Sequence, residues 1–189
     1  MIRNRSCLRR IQVFVFSILA FILVDTNVVS AQEKTVPPKR EGFTLLLTLG
    51  LGYQTDPEAE RDAIGLNGLN LGLGGFITEK VALMFRVSGT NVPIEQGRIE
   101  DTMISAVGVF DVQYWTNNRF NFEGGIGYGV LDRANPEVEF GVGILLSAGY
   151  TLSQKLGKHN FQIGVEYAPV FLEVGVVHNL GLNFGYQLF

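Results

Sequence analysis

Four ionisable residues, Arg86, Asp111, Glu123 and Glu166, stand in stretches that otherwise alternate bulky apolar residues with small or polar ones. Each falls on the small, polar side of its stretch. A charge shut away from water is costly unless it is paired, so four such residues on enclosed faces point to an ion-pair network. One guanidinium can hold two carboxylates through its planar fork of donors. The third carboxylate must then reach water or bind a proton. Counted from the ends of their stretches, Arg86, Asp111 and Glu123 lie at similar depth. Glu166 lies on the stretch farthest in order from Arg86, and is expected to be the odd one out. Such a network either fills an interior or acts as a plug that opens when a pair breaks.

Other candidates are weaker. His159 sits in a polar turn with Lys155 and Lys158, and His178 opens the last alternating stretch. Neither has a serine, aspartate or second histidine at triad or metal spacing. Gly124-Gly-Ile-Gly-Tyr-Gly129 is glycine-dense, but a phosphate loop needs a helix to follow, and here the two-residue period runs on through Val130. The only cysteine, Cys7, precedes an apolar N-terminal run. No disulfide, catalytic residue, metal site or cofactor is therefore expected.

These residues must be positioned by elements that the composition already narrows. The chain has 189 residues, 47% hydrophobic and 17% charged, with 23 glycines and a net charge of −3. That excludes a nucleic-acid binder and a disordered chain. Arg3, Arg5, Arg9 and Arg10 precede the apolar run Ile11–Val24, and Val29-Ser30-Ala31 follows it. Residues 1–31 therefore read as a secretory signal cleaved after Ala31, in preference to a membrane anchor. Without them the chain keeps eleven basic and seventeen acidic residues, a net charge of −6. Residues 32–42, with Pro37-Pro38, read as a flexible leader.

From Phe43 to Phe189 the period is two. Eight stretches of about ten residues follow one another, the length of a tilted strand that crosses a bilayer. Their bulky faces, among them Leu69, Leu71 and Leu73, or Leu83, Phe85 and Val87, carry no charge. The opposite faces are mostly Gly, Ser, Thr, Asn and Gln. In water a sheet with such an exterior would aggregate; in lipid it is stable. The expected fold is all-β, an eight-stranded antiparallel up-and-down transmembrane barrel whose lumen is largely filled by side chains.

Segments 77–80, 116–119 and 153–159 are short turns, whereas 54–67, 89–102 and 131–140 are expected as long external loops, with a brief fourth connection from Pro169 to Glu173. Aromatics gather at both strand ends: Phe43, Phe76, Tyr114, Phe120, Tyr150, Phe161 and Tyr186 at one, Tyr53, Tyr128 and Tyr167 at the other. Trp115 has the phase of the inside or of the turn. The external segments hold eleven acids against Arg61, Arg98 and Arg133, while the leader and short turns carry a net +4. An acidic rim can join lipid phosphates through shared divalent cations.

The signal segment, the alternating stretches and the closing Gly181-Leu-Asn-Phe-Gly-Tyr-Gln-Leu-Phe189 resemble the small outer-membrane β-barrel proteins of Gram-negative bacteria, the superfamily of the outer membrane protein A barrel. The resemblance covers residues 43–189. It implies outer-membrane localisation, surrounding outer-membrane lipids, and a C-terminal signal, Phe184, Tyr186 and Phe189, read by the barrel-assembly machinery. Leu188 puts Phe189 out of phase with Tyr186. No peptidoglycan-binding domain is expected after the barrel. The function expected is non-enzymatic: a monomer in envelope structure, or in contact with an unidentified surface ligand through its external loops. The alternatives are a narrow pore or carrier for small or hydrophobic solutes, and a lipid A-modifying enzyme, which such barrels build from a His/Ser constellation near the outer rim. Here that would draw on His178 with Ser88 or Ser105.

Overall fold

Alternation with large residues on one side and small ones on the other produces one continuous antiparallel sheet closed on itself. The computed structural model describes residues 39–56, 61–96, 99–133, 138–152, 159–173 and 175–189. The signal segment 1–31, leader residues 32–38 and the lysines of turn 153–158 lie outside the described residues. The strands are β1 (Gly42–Asp56), β2 (Arg61–Thr78), β3 (Val81–Gln96), β4 (Ile99–Trp115), β5 (Phe120–Asp132), β6 (Glu139–Thr151), β7 (His159–Tyr167), β8 (Val170–Leu172) and β9 (Gly175–Leu188). Strands β1 to β7 pair in order, β7 and β8 each pair with both β6 and β9, and β1 closes the barrel on β9 from Leu45↔Leu188 to Thr55↔His178.

Strands β7 and β8 are one stave of eight. Pro169 has no N–H to give the ladder, yet the register is the same on both sides of it: Tyr167 faces Leu180 and Val170 faces Val177. The expected connection from Pro169 to Glu173 is therefore mostly strand. The expected long loops shrink in the same way, because β1–β2, β3–β4 and β5–β6 run on as hairpins to Asp56/Arg61, Gln96/Ile99 and Asp132/Glu139.

A bulge explains why β2 hides its length in the sequence. Asn70 faces Thr48 but Asn67 faces Gly50, so one extra residue lies in β2 between them. A bulge reverses the phase of side chains on either side. Ile64 and Leu66 therefore face outward below the bulge in sequence, and Leu69, Leu71 and Leu73 above it.

The outer face is apolar on every stave, with Phe110 76% and Tyr128 82% exposed. On β5 it runs from Phe120 to Val130, about 33 Å of strand, or about 25 Å once the strand is tilted by about 40°. That is the height of a lipid-facing belt. Inside, glycines make room for neighbours: a side chain on Gly129 would start 2.5 Å from Val170 Cγ1. The lumen also holds an apolar cluster that the small-residue reading of the inner face did not include. Val92, Met103, Val107, Val109, Leu131 and Leu145 are buried there with Val170 and Val177 from the last stave.

Candidate functional site

The lumen is built in layers, and the charges form the middle one. Pairing across the sheet sets Gln113, Glu123, Ser147 and Glu166 side by side on β4, β5, β6 and β7 in a single hydrogen-bonding row. All point inward because each lies in phase with its strand's small face. Arg86, 2% exposed on β3, reaches across the lumen to this row. Its Nη1 donates to Glu123 Oε2 and, at 3.3 Å, to Ser147 Oγ; its Nη2 donates to Glu166 Oε2. Glu166 also accepts from Ser88 Oγ and from Asn183 Nδ2, and Glu123 accepts from Gln113 Nε2 at 2.7 Å.

The partner choice differs from the sequence expectation. Glu166 is not the odd carboxylate; Asp111 is. Barrel closure brings the seventh stave across the lumen from β3, so distance in strand order is not distance in space. Asp111 lies in a different row, opposite Met84 and Gly125. It is 3% exposed, and neither of its oxygens has a hydrogen-bond partner among the described residues. Similar residue counts from strand ends do not put residues in one row: with Trp115 opposite Asn121, Glu123 faces Gln113 and Asp111 lies one inward position further along β4.

Beside the guanidinium is a cavity of about 20 Å³, lined in part by Thr48, Asn121, Ser147, Gln162 and Asn183. These residues, together with Ser88, Gln113 and Gln187, complete the polar layer. Their only signal in the sequence was polarity on the inward phase. Gln187 Nε2 donates to Gln113 Oε1 at 2.7 Å and to Thr44 Oγ1 at 3.1 Å, tying β9 to β4 and β1 across the lumen.

The short-turn end is closed by a floor. Trp115 is fully buried inside, and its Nε1 donates to Gln113 Oε1 at 3.0 Å. Phe189 turns inward and packs edge-on against Trp115 and Phe76, with centroids 5.7 and 5.6 Å apart. Phe76 therefore belongs to the floor and not to the lipid-facing girdle. Arg40, expected in the flexible leader, is buried with its guanidinium carbon 3.8 Å from the Trp115 ring centroid, and it donates to Asn118 O at 3.2 Å. The ring face attracts the cation and holds this part of the leader in the mouth. Burial lowers the pKa of Arg40 to about 10, which leaves it charged at neutral pH.

The remaining candidates do not converge. Ser88 and Ser105 are luminal and bonded to Glu166 and Asn179, whereas His178 is exposed on the outer face and bonded to the Tyr167 hydroxyl at 2.7 Å. His159 is likewise on the outer face, against Tyr186. Of the assembly-signal residues, Phe184 and Tyr186 share the lipid-facing phase and Phe189 does not.

A closed eight-stave barrel with an uncharged apolar belt and a side-chain-filled lumen has the fold of a transmembrane β-barrel. Two solved barrels share this fold. Ail, the attachment invasion locus protein of Yersinia pestis, is 14% identical, with a TM-score of 0.59 over 78% of this chain and 99% of that one. Neisserial surface protein A is 13% identical, with a TM-score of 0.53 over 78% of this chain and 96% of that one. At these identities the likeness is one of fold. No protein-family model and no curated protein sequence matches the chain.

Proposed function

We propose that this protein is a non-enzymatic integral outer-membrane barrel, an envelope scaffold whose external hairpins make surface contacts while its lumen stays closed. The filling of the lumen carries this reading. An aromatic floor, an ionic layer and an apolar layer succeed one another, and the cavity of about 20 Å³ beside Arg86 has room for about one water. A conducting path would have to cross the apolar layer, which counts against the pore or carrier. The separation of His178 from Ser88 and Ser105 counts against lipid A chemistry.

In this reading the short-turn end is periplasmic and the hairpin end external. Phe184 and Tyr186 would present their aromatics to the barrel-assembly machinery, and the folded protein is a monomer surrounded by outer-membrane lipid. The Ail barrel has been solved in complex with the heparin analogue sucrose octasulfate, a polyanion. The external segments here hold eleven acids against three arginines, which favours the opposite class: a basic partner, or lipid phosphates bridged by divalent cations. Purified protein in planar bilayers should give no resolved conductance steps. Reproducible open-channel steps would overturn the closed-lumen reading in favour of transport.

A further inference from the structure

On the lipid-facing side of β5 and β6, at the short-turn end, one cation has a tyrosine as its only side-chain partner among the described residues. Asn117 Oδ1 accepts from the backbone N–H groups of Arg119 and Phe120 at 2.7 and 2.9 Å, and this turn fixes where Arg119 leaves the chain. Arg119 Nη1 donates to the Tyr150 hydroxyl at 2.8 Å, and its guanidinium carbon lies 6.0 Å from the ring centroid. Among the described residues no carboxylate pairs with it. Tyr150 in turn packs on Phe120, its register partner, with centroids 4.9 Å apart. The guanidinium is thus pinned at the aromatic level, the depth at which hydrocarbon gives way to headgroups. Among the described residues its remaining donors have no partner.

The belt immediately beyond this pair is notched. The next outward pairs are Phe122 with Ala148 and Gly124 with Leu146. A side chain built on Gly124 would meet nothing nearer than Leu146 Cδ2, at 3.7 Å. Ala148 and Gly124 therefore leave a furrow between Phe122 and Leu146 that leads to Arg119.

We propose that Arg119, Tyr150 and this furrow form a binding site for an anionic phospholipid of the adjoining leaflet. The guanidinium fork matches the oxygens of a phosphodiester. The Tyr150 oxygen accepts from Arg119, so its own O–H is left to donate to the same phosphate. One acyl chain lies over Ala148 and Gly124. Because Arg119 is already held on the ring, little side-chain freedom is lost on binding.

The site rests on the transmembrane reading, so its test carries a separate control for that reading. Full-length protein in detergent is titrated with phosphatidylglycerol or phosphatidylcholine, and bound lipid is read by native mass spectrometry. Phosphatidylglycerol should be retained in preference. Arg119→Ala should lower its retention by about tenfold, the equivalent of about 1.4 kcal/mol. Tyr150→Phe and Gly124→Leu should each lower it by a smaller factor, the second by filling the furrow with the cation intact. Lys80→Ala, in the β2–β3 turn, should change nothing, and inorganic phosphate at equal concentration should not displace the lipid. Unchanged retention in Arg119→Ala or Gly124→Leu, an equal loss in Lys80→Ala, or displacement by phosphate would overturn the site. Heat-modifiable gel mobility of every variant reports the barrel itself, and its loss in the unmodified protein would indict the fold reading instead.

Discussion

The ionic layer and the apolar layer of the same lumen are filled by different physics. In the ionic layer, Arg86 is fixed by directional bonds to Glu123, Ser147 and Glu166 on three strands, and a cavity remains beside it. In the apolar layer, Val92, Met103, Val107, Val109, Leu131 and Leu145 fill the space by contact alone. Charged groups need specific partners at specific angles, so a staggered barrel can satisfy two carboxylates and strand a third. Methyl groups need only volume. The ionic layer therefore holds the strands in one arrangement at the cost of a buried Asp111 with no hydrogen-bond partner among the described residues, whereas the residues of the apolar cluster carry no charge.

Substitutions that remove one kind of filling at a time test this contrast, each read as a urea midpoint for the folded barrel in detergent at neutral pH. Arg86→Ala should have the largest effect, about 3–5 kcal/mol, because it strands Glu123 and Glu166 without a counter-charge. Leu145→Ala should cost about 3 kcal/mol through the void it leaves in the apolar layer. If it cost more than Arg86→Ala, contact packing would dominate the lumen and the ion pairs would be incidental. Outside both layers, Leu71→Arg sets a charge on the lipid face and should cost about 2–4 kcal/mol near the midplane. Asn70→Arg, on the luminal phase next to it, should cost less if the new cation reaches a carboxylate; equal losses would mean the two faces are misassigned. The smallest change, and the only one upward, is expected from Asp111→Asn. Removing a buried charge with no hydrogen-bond partner should leave stability unchanged or raise it by about 1–2 kcal/mol. A clear loss would show that Asp111 has a partner and that the charge network extends beyond Arg86, Glu123 and Glu166.

Much of the barrel was legible because strand alternation is a property of the covalent chain. Val81 to Ser88 alternates without ambiguity, and the structure sends Leu83, Phe85 and Val87 outward and Met84, Arg86 and Ser88 inward. Legibility failed where both phases are apolar. Val107 and Val109 flank Gly108, and Leu145 sits between Ile144 and Leu146, so the period alone does not say which residue is luminal. It failed again at the β2 bulge, where the phase reverses between Asn67 and Asn70 and a strand reads as a loop.

By itself the sequence determined the class of element, the lipid-facing set on most strands and the residues available for a luminal network. Only the tertiary structure decided who pairs with whom. Glu166 meets Arg86 because closing the sheet turns the far end of the chain order into the opposite wall. Asp111 has no hydrogen-bond partner among the described residues because the β4–β5 register sets Glu123 opposite Gln113 and leaves Asp111 opposite Gly125. Phe189, already out of phase with Tyr186 in the sequence, meets its floor partners Trp115, Phe76 and Arg40 only when they converge there from three other parts of the chain. Alternation is local and survives any arrangement of the strands, whereas contacts across a lumen exist only once all eight staves have closed.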